Sequence, residues 1–235
     1  MGYDYIAIGG MVPLNAPAIH ACLQAISEAI PQSVRVHLLG FAKAEQIHEF
    51  AKYNVTSFDT TSPLIRSFKD ERSNYYEAKA DGEIDYYTAI RVPQALENAR
   101  LLRSVKMGRV RQETLTELES GALKKLRQYD REEVGIQEAV DAVLAYSRFF
   151  TSDPNKSDLD NEKSVWKTRD RLERTLQMRP WKSCACSICK ALSIEVMIFR
   201  GNNRNRRRGF HNLVVFNQHV KNVLNASSSP ALEYQ

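Results

Sequence analysis

The sequence predicts an α/β fold in which a parallel sheet is followed by a helical insertion and a metal-binding module. Within the first 58 residues, three short apolar runs alternate with two amphipathic segments, which is the βαβαβ order of a parallel sheet. Residues 86–150 then carry apolar side chains at helical spacing. Near the C-terminus, three of the four cysteines stand within six residues, a density typical of a metal site.

Each element of the first segment has its own start and stop signals. Residues 3–8 form an apolar run of strand length, and a helix follows between Asn15-Ala-Pro17 and Pro31. Residues 34–39 are the second predicted strand, residues 44–53 the second helix and Val55–Phe58 the third strand. The first helix carries an apolar stripe that includes one cysteine as a core residue: Ile19, Cys22, Leu23, Ile26, Ala29 and Ile30.

The ends of these strands predict a cluster of functional residues. Two strands end in glycine, at Gly9-Gly10 and Gly40, and the third ends at Asp59. In parallel α/β folds the carboxyl ends of the strands share one rim, where sites are built. Gly9, Gly10, Gly40 and Asp59 are therefore expected to cluster at one rim, although Asp59 can also cap its own turn. Gly9 and Gly10 either let backbone N–H groups approach a flat ring or form a turn that needs positive φ.

The middle of the chain is predicted to be helical. A polar linker, residues 152–160, precedes a further helix over residues 161–178. The expected core side chains of these helices are Leu115, Leu118, Ala122, Leu126, Ile136, Val140, Val143, Leu144, Trp166, Leu172 and Leu176.

The cysteine cluster and a later histidine predict a structural zinc site. Cys184, Cys186 and Cys189 have the spacing C-x-C-x2-C, and His211 follows after 21 residues. Three thiolates and one imidazole fill a tetrahedral Zn²⁺ shell and leave no position for water. Free or disulfide-linked cysteines and an iron–sulfur cluster are the alternatives, but neighbours this close pair poorly and no fourth cysteine is near. Residues 193–199 are a predicted strand, residues 200–209 a loop, and a helix is expected to open at residue 210.

The basic residues are unevenly distributed. Residues 164–211 contain twelve Lys or Arg and three acidic residues, whereas the whole chain has a formal net charge of +5. This imbalance indicates a polyanionic partner, although a solvated helix face would explain residues 167–174. Because clustered arginines repel one another in a loop, we expect nucleic-acid phosphates to contact Arg200, Arg204, Arg206, Arg207 and Arg208.

Composition excludes a membrane protein. The sequence contains no apolar run that approaches the roughly 18 residues of a membrane span, and no signal peptide is visible. Few cysteines, with three of them clustered for a metal, suit a reducing compartment. We therefore expect a cytoplasmic protein.

Three separated motifs resemble the tRNA-guanine transglycosylase family. They are Ile6-Ala-Ile-Gly-Gly10, Phe58-Asp59, and the cysteine cluster with His211-Asn-Leu, and they occur in the family's order. Further stretches look like the phage and bacterial relatives that insert 7-deazaguanines into DNA: Asp59-Thr-Thr-Ser-Pro63, Phe68-Lys-Asp70, Asn74-Tyr-Tyr76 and the segment from Phe199 to His211.

The resemblance implies a fold, a reaction and a set of ligands. The fold would be the C-terminal half of a TIM-like (β/α) barrel, partial or complete, with residues 1–76 as barrel segment, 77–160 as helical insertion and 161–235 as basic zinc module. The reaction would exchange guanine for a 7-deazaguanine in nucleic acid, with DNA favoured over tRNA, through a covalent intermediate on Asp59. Base-binding residues would be Gly9, Gly10, Met11 and Leu39, and Zn²⁺ would be structural.

One expected part is missing from the sequence. In the family, the first half of the barrel supplies a second aspartate and groups that read the base, but this chain begins at what resembles the fifth strand. Asp4 precedes a strand and is a poor substitute. We therefore expect a partner, either a complementary N-terminal half or another copy. The alternatives are a non-catalytic zinc-containing nucleic-acid-binding subunit, a transglycosylase-like protein that acts on tRNA, or a gene remnant.

Overall fold

The computed structural model describes residues 2–11, 13–41, 47–69, 72–152 and 155–228. The chain divides into two compact units, the first comprising residues 1–65, 78–84 and 213–235 and the second residues 66–77 and 85–212. The three-part division at residues 76 and 160 stays a prediction. Within the described ranges, no helix combines the length and the apolar character needed to cross a membrane.

The first unit contains the predicted parallel sheet. Its strands are β1 (Tyr5–Ile8), β2 (Arg35–Leu38) and β3 (Val55–Phe58), which pair in parallel in the order β1-β2-β3. A bulge interrupts the β2–β3 register between Val36 and His37. The mixed α/β class is confirmed. The described strands form no closed barrel, so the TIM-like architecture stays a prediction.

Helix α1 (Ala16–Ala29) covers one face of this sheet. Its predicted start is confirmed, because the Asn15 side chain accepts a hydrogen bond from the Ala18 N–H at 3.0 Å and caps the first turn. Cys22 is partly buried and packs against the core, as predicted. The side chains buried between helix, sheet and the following loops are Met11, Ile19, Leu23, Val36, Leu38, Phe41, Phe50 and Tyr53.

The second helix is short where it is described. Helix α2 (Ile47–Phe50) continues as a 3-10 turn over Ala51–Tyr53, and Asn54 ends it in the left-handed conformation with a φ of 59°. Residues 44–46 of the predicted helix lie outside the described residues. Asn54 thereby turns the chain into β3.

Residues 86–150, in the second unit, are mainly helical, as predicted, although their first helix begins only at Ala99. The remaining elements of the chain are α3 (Ser62–Lys69), β4 (Tyr75–Ala78), β5 (Ile84–Tyr87), β6 (Ile90–Arg91), α4 (Ala99–Lys106), α5 (Gln112–Asp130), α6 (Ile136–Thr151), α7 (Asp158–Met178), α8 (Pro180–Ser183), α9 (Ser187–Leu192), a 3-10 turn (Ser193–Val196), β7 (Ile198–Phe199) and α10 (Asn202–Ser228). Strands β4 and β5 form one two-stranded sheet, and β6 pairs in parallel with β7 to form another.

The core of the second unit lies among α5, α6 and α7. The predicted apolar spacing is confirmed by burial of side chains from all three helices: Leu115, Ala122, Leu126, Val140, Val143, Leu144, Leu172 and Leu176. The predicted anchor Trp166 is wrong, because its side chain is 72% exposed. Trp181, which begins the approach to the cysteines, is buried instead.

The predicted strand over residues 193–199 is largely wrong. Ser193–Val196 forms a 3-10 turn, and only Ile198–Phe199 is a strand. Ile194, Val196 and Met197 are nevertheless buried. A short apolar run is compatible with either structure, and here the turn buries the same side chains that a strand would have buried.

The predicted loop over residues 200–209 is also wrong. Helix α10 begins at Asn202, so residue 210 lies inside the helix rather than at its start. The buried positions of this stretch follow helical spacing but are polar, which hides the period from a hydrophobic pattern: Asn205, Arg208, His211 and Asn212.

Arg208 is a buried structural residue, which corrects its assignment as a phosphate contact. Its side chain is fully buried, and its guanidinium donates to the backbone carbonyls of Val196 at 3.1 Å and Ser67 at 2.8 Å. It also donates to Asn205 Oδ1 at 2.7 Å. Burial lowers the pKa of Arg208 to about 9. The guanidinium therefore joins α10 to two backbone segments of the same unit.

Replacing Arg208 should destabilise the protein, whereas replacing its neighbour should not. Arg208→Met leaves buried carbonyl oxygens without donors, so we expect the free energy of unfolding to fall by about 2–3 kcal/mol. Arg207 is exposed, so Arg207→Met should change it by no more than about 0.5 kcal/mol. Urea denaturation followed by circular dichroism measures both, and equal stability of the two variants would contradict the structural role.

Candidate metal centre and strand-end site

The second unit brings the three predicted cysteines and the histidine together. Cys184, Cys186, Cys189 and His211 each offer one ligand atom, and these atoms lie within 4.8 Å of one another. The distances from His211 Nδ1 to the three sulfur atoms are 3.6, 3.4 and 3.4 Å. The cysteines come from the segment around α8 and α9, and the histidine comes from α10. Folding thus brings His211 next to cysteines from which more than twenty residues separate it in the sequence.

The geometry of this cluster fits a tetrahedral metal ion. Zn–S bonds of about 2.3 Å and Zn–N bonds of about 2.1 Å give tetrahedral S–N edges of about 3.6 Å. The S–N distances in the cluster match this value. Cys189 and His211 are buried, and the other two cysteines are half-buried. The residues can therefore hold Zn²⁺ in a closed, structural site.

The unused nitrogen of His211 is fixed by the backbone. His211 Nε2 donates to the carbonyl oxygen of Tyr76 at 2.8 Å, which leaves Nδ1 with the lone pair that a metal requires. The Tyr75 ring stacks on the imidazole at a centroid distance of 4.0 Å. Asn212 adds two bonds, accepting from the Tyr76 N–H at 3.1 Å and donating to the Asn74 carbonyl at 2.9 Å. Strand β4 thus positions the histidine.

The electrostatics of the cluster favour thiolate. A hydrogen bond from the Cys189 thiol, acting against burial, lowers the pKa of Cys184 to about 3, and the same bond raises the pKa of Cys189. Burial opposes the charge of His211, but its bonds to Cys184 and Cys186 raise the pKa of His211 to about 9. These shifts favour ionisation of Cys184 within the cluster.

A partly buried aspartate, Asp130, supports the segment that leads into the cysteines. Asp130 Oδ1 accepts from Trp181 Nε1 at 2.8 Å, Ser193 Oγ at 3.0 Å and Lys182 Nζ at 3.0 Å. Burial opposes ionisation of Asp130, but these donors outweigh it and lower the pKa of the carboxyl. The end of α5 thereby fixes both flanks of the cysteine cluster.

The strand ends of the first unit bring the predicted rim residues together. The Asp59 Oδ1 atom accepts the Gly40 N–H at 2.8 Å, and the Leu39 N–H donates to the Ile8 carbonyl at 2.9 Å. The Asp59 side chain is 56% exposed, and no hydrogen bond from the described residues reaches its Oδ2 atom. One oxygen is therefore held while the other is open.

His37 is a contact of Asp59 that the sequence did not reveal. His37 Nε2 lies 3.5 Å from Asp59 Oδ1, and His37 Nδ1 lies 2.5 Å from Ser57 Oγ, which also contacts the Tyr5 hydroxyl. Donation from Tyr5 to Ser57 and from Ser57 to Nδ1 would leave the imidazole proton on Nε2, facing the carboxylate. A single histidine in a strand gives no such signal, because the contact depends on the β2–β3 register.

The predicted base-binding residues divide into accessible and buried ones. Gly10 has a φ of 82°, so the turn interpretation is confirmed at Gly10, whereas Gly9 is not among the glycines with positive φ. Gly40, at the end of β2, has a φ of 71°. Leu39 is 45% exposed beside Gly9. Met11 is 2% exposed and belongs to the core, which corrects its assignment as a base contact.

The arginines predicted to contact phosphates also differ in their accessibility, because some of them form ion pairs within the protein. Arg200 pairs with Glu119, and Arg204 Nη1 pairs with Glu195 Oε2 at 2.7 Å. Arg206 and Arg207 are exposed on α10. Only these two of the five predicted residues present guanidinium groups that are both exposed and outside the ion pairs of the described residues.

A strand-end carboxylate beside glycine turns, together with a structural Cys₃His centre, is the combination from which the sequence indicated a guanine transglycosylase. No family model matches the chain. A search of curated proteins finds a DNA-guanine transglycosylase from Salmonella montevideo that is 40% identical over 228 residues, or 97% of this chain. The predicted resemblance to the tRNA-guanine transglycosylase family is thereby confirmed. The chain spans about half of the relative's length, 52%.

Removing one metal ligand should release the metal. We expect about one zinc per chain in purified protein and loss of that zinc in Cys186→Ser, because metal binding at such a site is coupled to folding. Cys22→Ser is the matched control, since Cys22 lies in the other unit and should leave the zinc content unchanged. Elemental analysis of both variants measures this, and a folded wild-type sample without zinc would contradict the assignment.

Proposed function

We propose that this chain carries the nucleophile and the zinc module of a guanine transglycosylase that exchanges guanine for a 7-deazaguanine base in DNA. The proposal rests on the geometry of Asp59. Its Oδ1 atom accepts a hydrogen bond from the Gly40 N–H, while its Oδ2 atom accepts none from the described residues and can reach a substrate. The Salmonella relative, a DNA-guanine transglycosylase, supports both the reaction and the DNA substrate. We further propose that β1, β2 and β3 belong to a TIM-like barrel that a complementary half completes.

The proposed chemistry is a double displacement at C1′ of the target nucleotide. Asp59 Oδ2 attacks C1′ as the glycosidic bond to guanine breaks, which leaves an ester between the carboxylate and the sugar. The departing guanine takes up a proton. The entering 7-deazaguanine then attacks C1′ with its N9 and loses the proton from that nitrogen, and the carboxylate is released unchanged.

The rim provides a place for the reacting base beside Asp59. Backbone at the Gly9-Gly10 turn would face the edge of the base, and the half-exposed Leu39 side chain would cover its ring. The acid/base group that serves the leaving and entering bases is proposed to come from residues beyond these 235. The half of the relative's length that this chain does not match can accommodate it.

The exposed arginines of α10 are the proposed phosphate contacts. Arg206 and Arg207 are exposed neighbours, and phosphate contacts of this kind give affinity without sequence choice. The target nucleotide must leave its stack before Asp59 can reach C1′, so distorted or single-stranded DNA is the expected preferred substrate. Zn²⁺ in the Cys₃His site would hold α10 against the cysteine segment and take no part in the displacement.

Replacing Asp59 should abolish covalent capture of DNA. With the polypeptide that supplies the remaining catalytic groups present and the entering base withheld, the wild-type chain should form an adduct with DNA that survives denaturation. Asp59→Asn should form none, because a neutral amide cannot serve as the attacking carboxylate. Asp4→Asn is the matched control, since Asp4 lies at the opposite end of β1 and should leave the adduct intact.

Two outcomes of this experiment would overturn parts of the proposal. Base exchange by the Asp59→Asn assembly at the wild-type rate would reject Asp59 as the nucleophile. An assembly that binds DNA but forms no adduct and exchanges no base would instead support the non-catalytic binding subunit. Denaturing gel electrophoresis with labelled DNA, alongside incorporation of labelled guanine, distinguishes them.

Replacing the exposed arginines should weaken binding without affecting the nucleophile. Arg206→Gln and Arg207→Gln should each lower the slope of log affinity against log salt by about 1, because each removes one phosphate contact. Lys124→Gln, at an exposed position on α5, should leave the slope unchanged. Fluorescence anisotropy with labelled single-stranded DNA over a salt series measures this, and an unaltered slope in both arginine variants would place the DNA elsewhere.

A further inference from the structure

The second unit contains a cavity whose walls carry basic residues. The cavity has a volume of about 340 Å³ and lies among β6, α6 and α7. Four of its lining residues are cationic: Arg91, Arg100, Lys167 and Arg171. None of the described residues that line it is an aspartate or a glutamate. An anion entering this cavity would therefore meet positive charge from several sides.

Two of these cations, Lys167 and Arg171, differ from the paired arginines of the same helix. Arg169 pairs with Asp141 and Glu173, each at 2.9 Å, and Arg174 pairs with Asp85 at 3.1 Å. No hydrogen bond or ion pair from the described residues reaches Lys167 or Arg171. These two residues are four positions apart, so they share one face of α7 and repel each other.

The remaining polar groups of the cavity are already engaged. Arg100 Nη1 donates to the Phe150 carbonyl at 2.6 Å, and the Arg91 guanidinium lies 5.1 Å from the centroid of the Phe199 ring. The hydroxyls of Thr151, Ser164 and Thr168 donate to carbonyls of their own helices at 2.8–2.9 Å. Lys167 and Arg171 are therefore the principal donors available to a ligand.

We propose that this cavity binds a phosphate-bearing ligand of mononucleotide size. The negatively charged oxygens of a phosphate complement the two neighbouring positive charges of Lys167 and Arg171. A guanidinium can bind two phosphate oxygens at once through parallel N–H groups. Val143, Phe150 and Leu172 supply an apolar wall for a base or sugar. The volume lies at the lower end, about 300 Å³, of sites that take small molecules. The site is in the second unit, and the inference does not depend on Asp59.

The experiment compares phosphate-bearing and phosphate-free probes on the full chain. Isothermal titration should show saturable binding of 2′-deoxyguanosine 5′-monophosphate and at least about tenfold weaker binding of 2′-deoxyguanosine. The double variant Lys167→Gln with Arg171→Gln should weaken nucleotide binding by at least about tenfold. Lys163→Gln lies on the same helix outside the cavity and should bind as the wild type does.

The source of the phosphate is separated by competition. If a short single-stranded oligonucleotide displaces the nucleotide from wild-type protein, the ligand is a nucleic-acid phosphate; if it does not, the ligand is a free nucleotide. Either interpretation requires that nucleotide binding is weakened in the double variant. If the double variant fails to fold, Lys167→Gln alone can replace it, because Lys167 is exposed. This single variant should still weaken nucleotide binding severalfold.

Three results would overturn the proposal. They are equal affinity for nucleotide and nucleoside, unchanged nucleotide affinity in a folded double variant or in Lys167→Gln, and absence of saturable binding up to about 10 mM nucleotide.

Discussion

The hydrogen bond from His211 Nε2 to the Tyr76 carbonyl is the contact on which the second unit's metal site depends. It selects the ring nitrogen that faces the cysteines, and the stacked Tyr75 ring fixes the plane of the imidazole. Because β4 holds the histidine and Asp130 holds the cysteine segment, the ligand atoms are brought together by groups that do not themselves bind metal. The four ligands are thus positioned by a network that reaches from β4 to α5.

The sequence predicted the parts of this structure that local pattern encodes. Apolar spacing located α1, α5 and α6, ligand spacing located the Cys₃His cluster, and the rule for parallel strands grouped Asp59 with Gly40. It failed where the buried side chains are polar or where tertiary pairing decides. Helix α10 looked like a loop because its inward positions include Asn205 and Arg208, and His37 could be linked to Asp59 only through the register of β2 and β3.

The density of basic residues along the sequence does not show which of them can bind an external anion. Half of the twelve cations of the basic segment form ion pairs with acids of the same unit, as Arg204 does with Glu195 and Arg174 with Asp85. Arg208 is buried among carbonyl oxygens. The cations that remain available to an external anion are few, and they lie on α9, on α10 and on the cavity face of α7.

The two tryptophans of the chain occupy opposite environments, and this makes the protein's own fluorescence informative. Trp181 is buried three residues before Cys184, the first cysteine of the cluster, and donates a hydrogen bond to Asp130. Trp166, on α7, is 72% exposed. A neutral quencher such as acrylamide would therefore silence Trp166 first and leave emission from Trp181. The remaining blue-shifted signal reports on the packing beside the cysteine cluster, so the state of that region can be followed optically without a label.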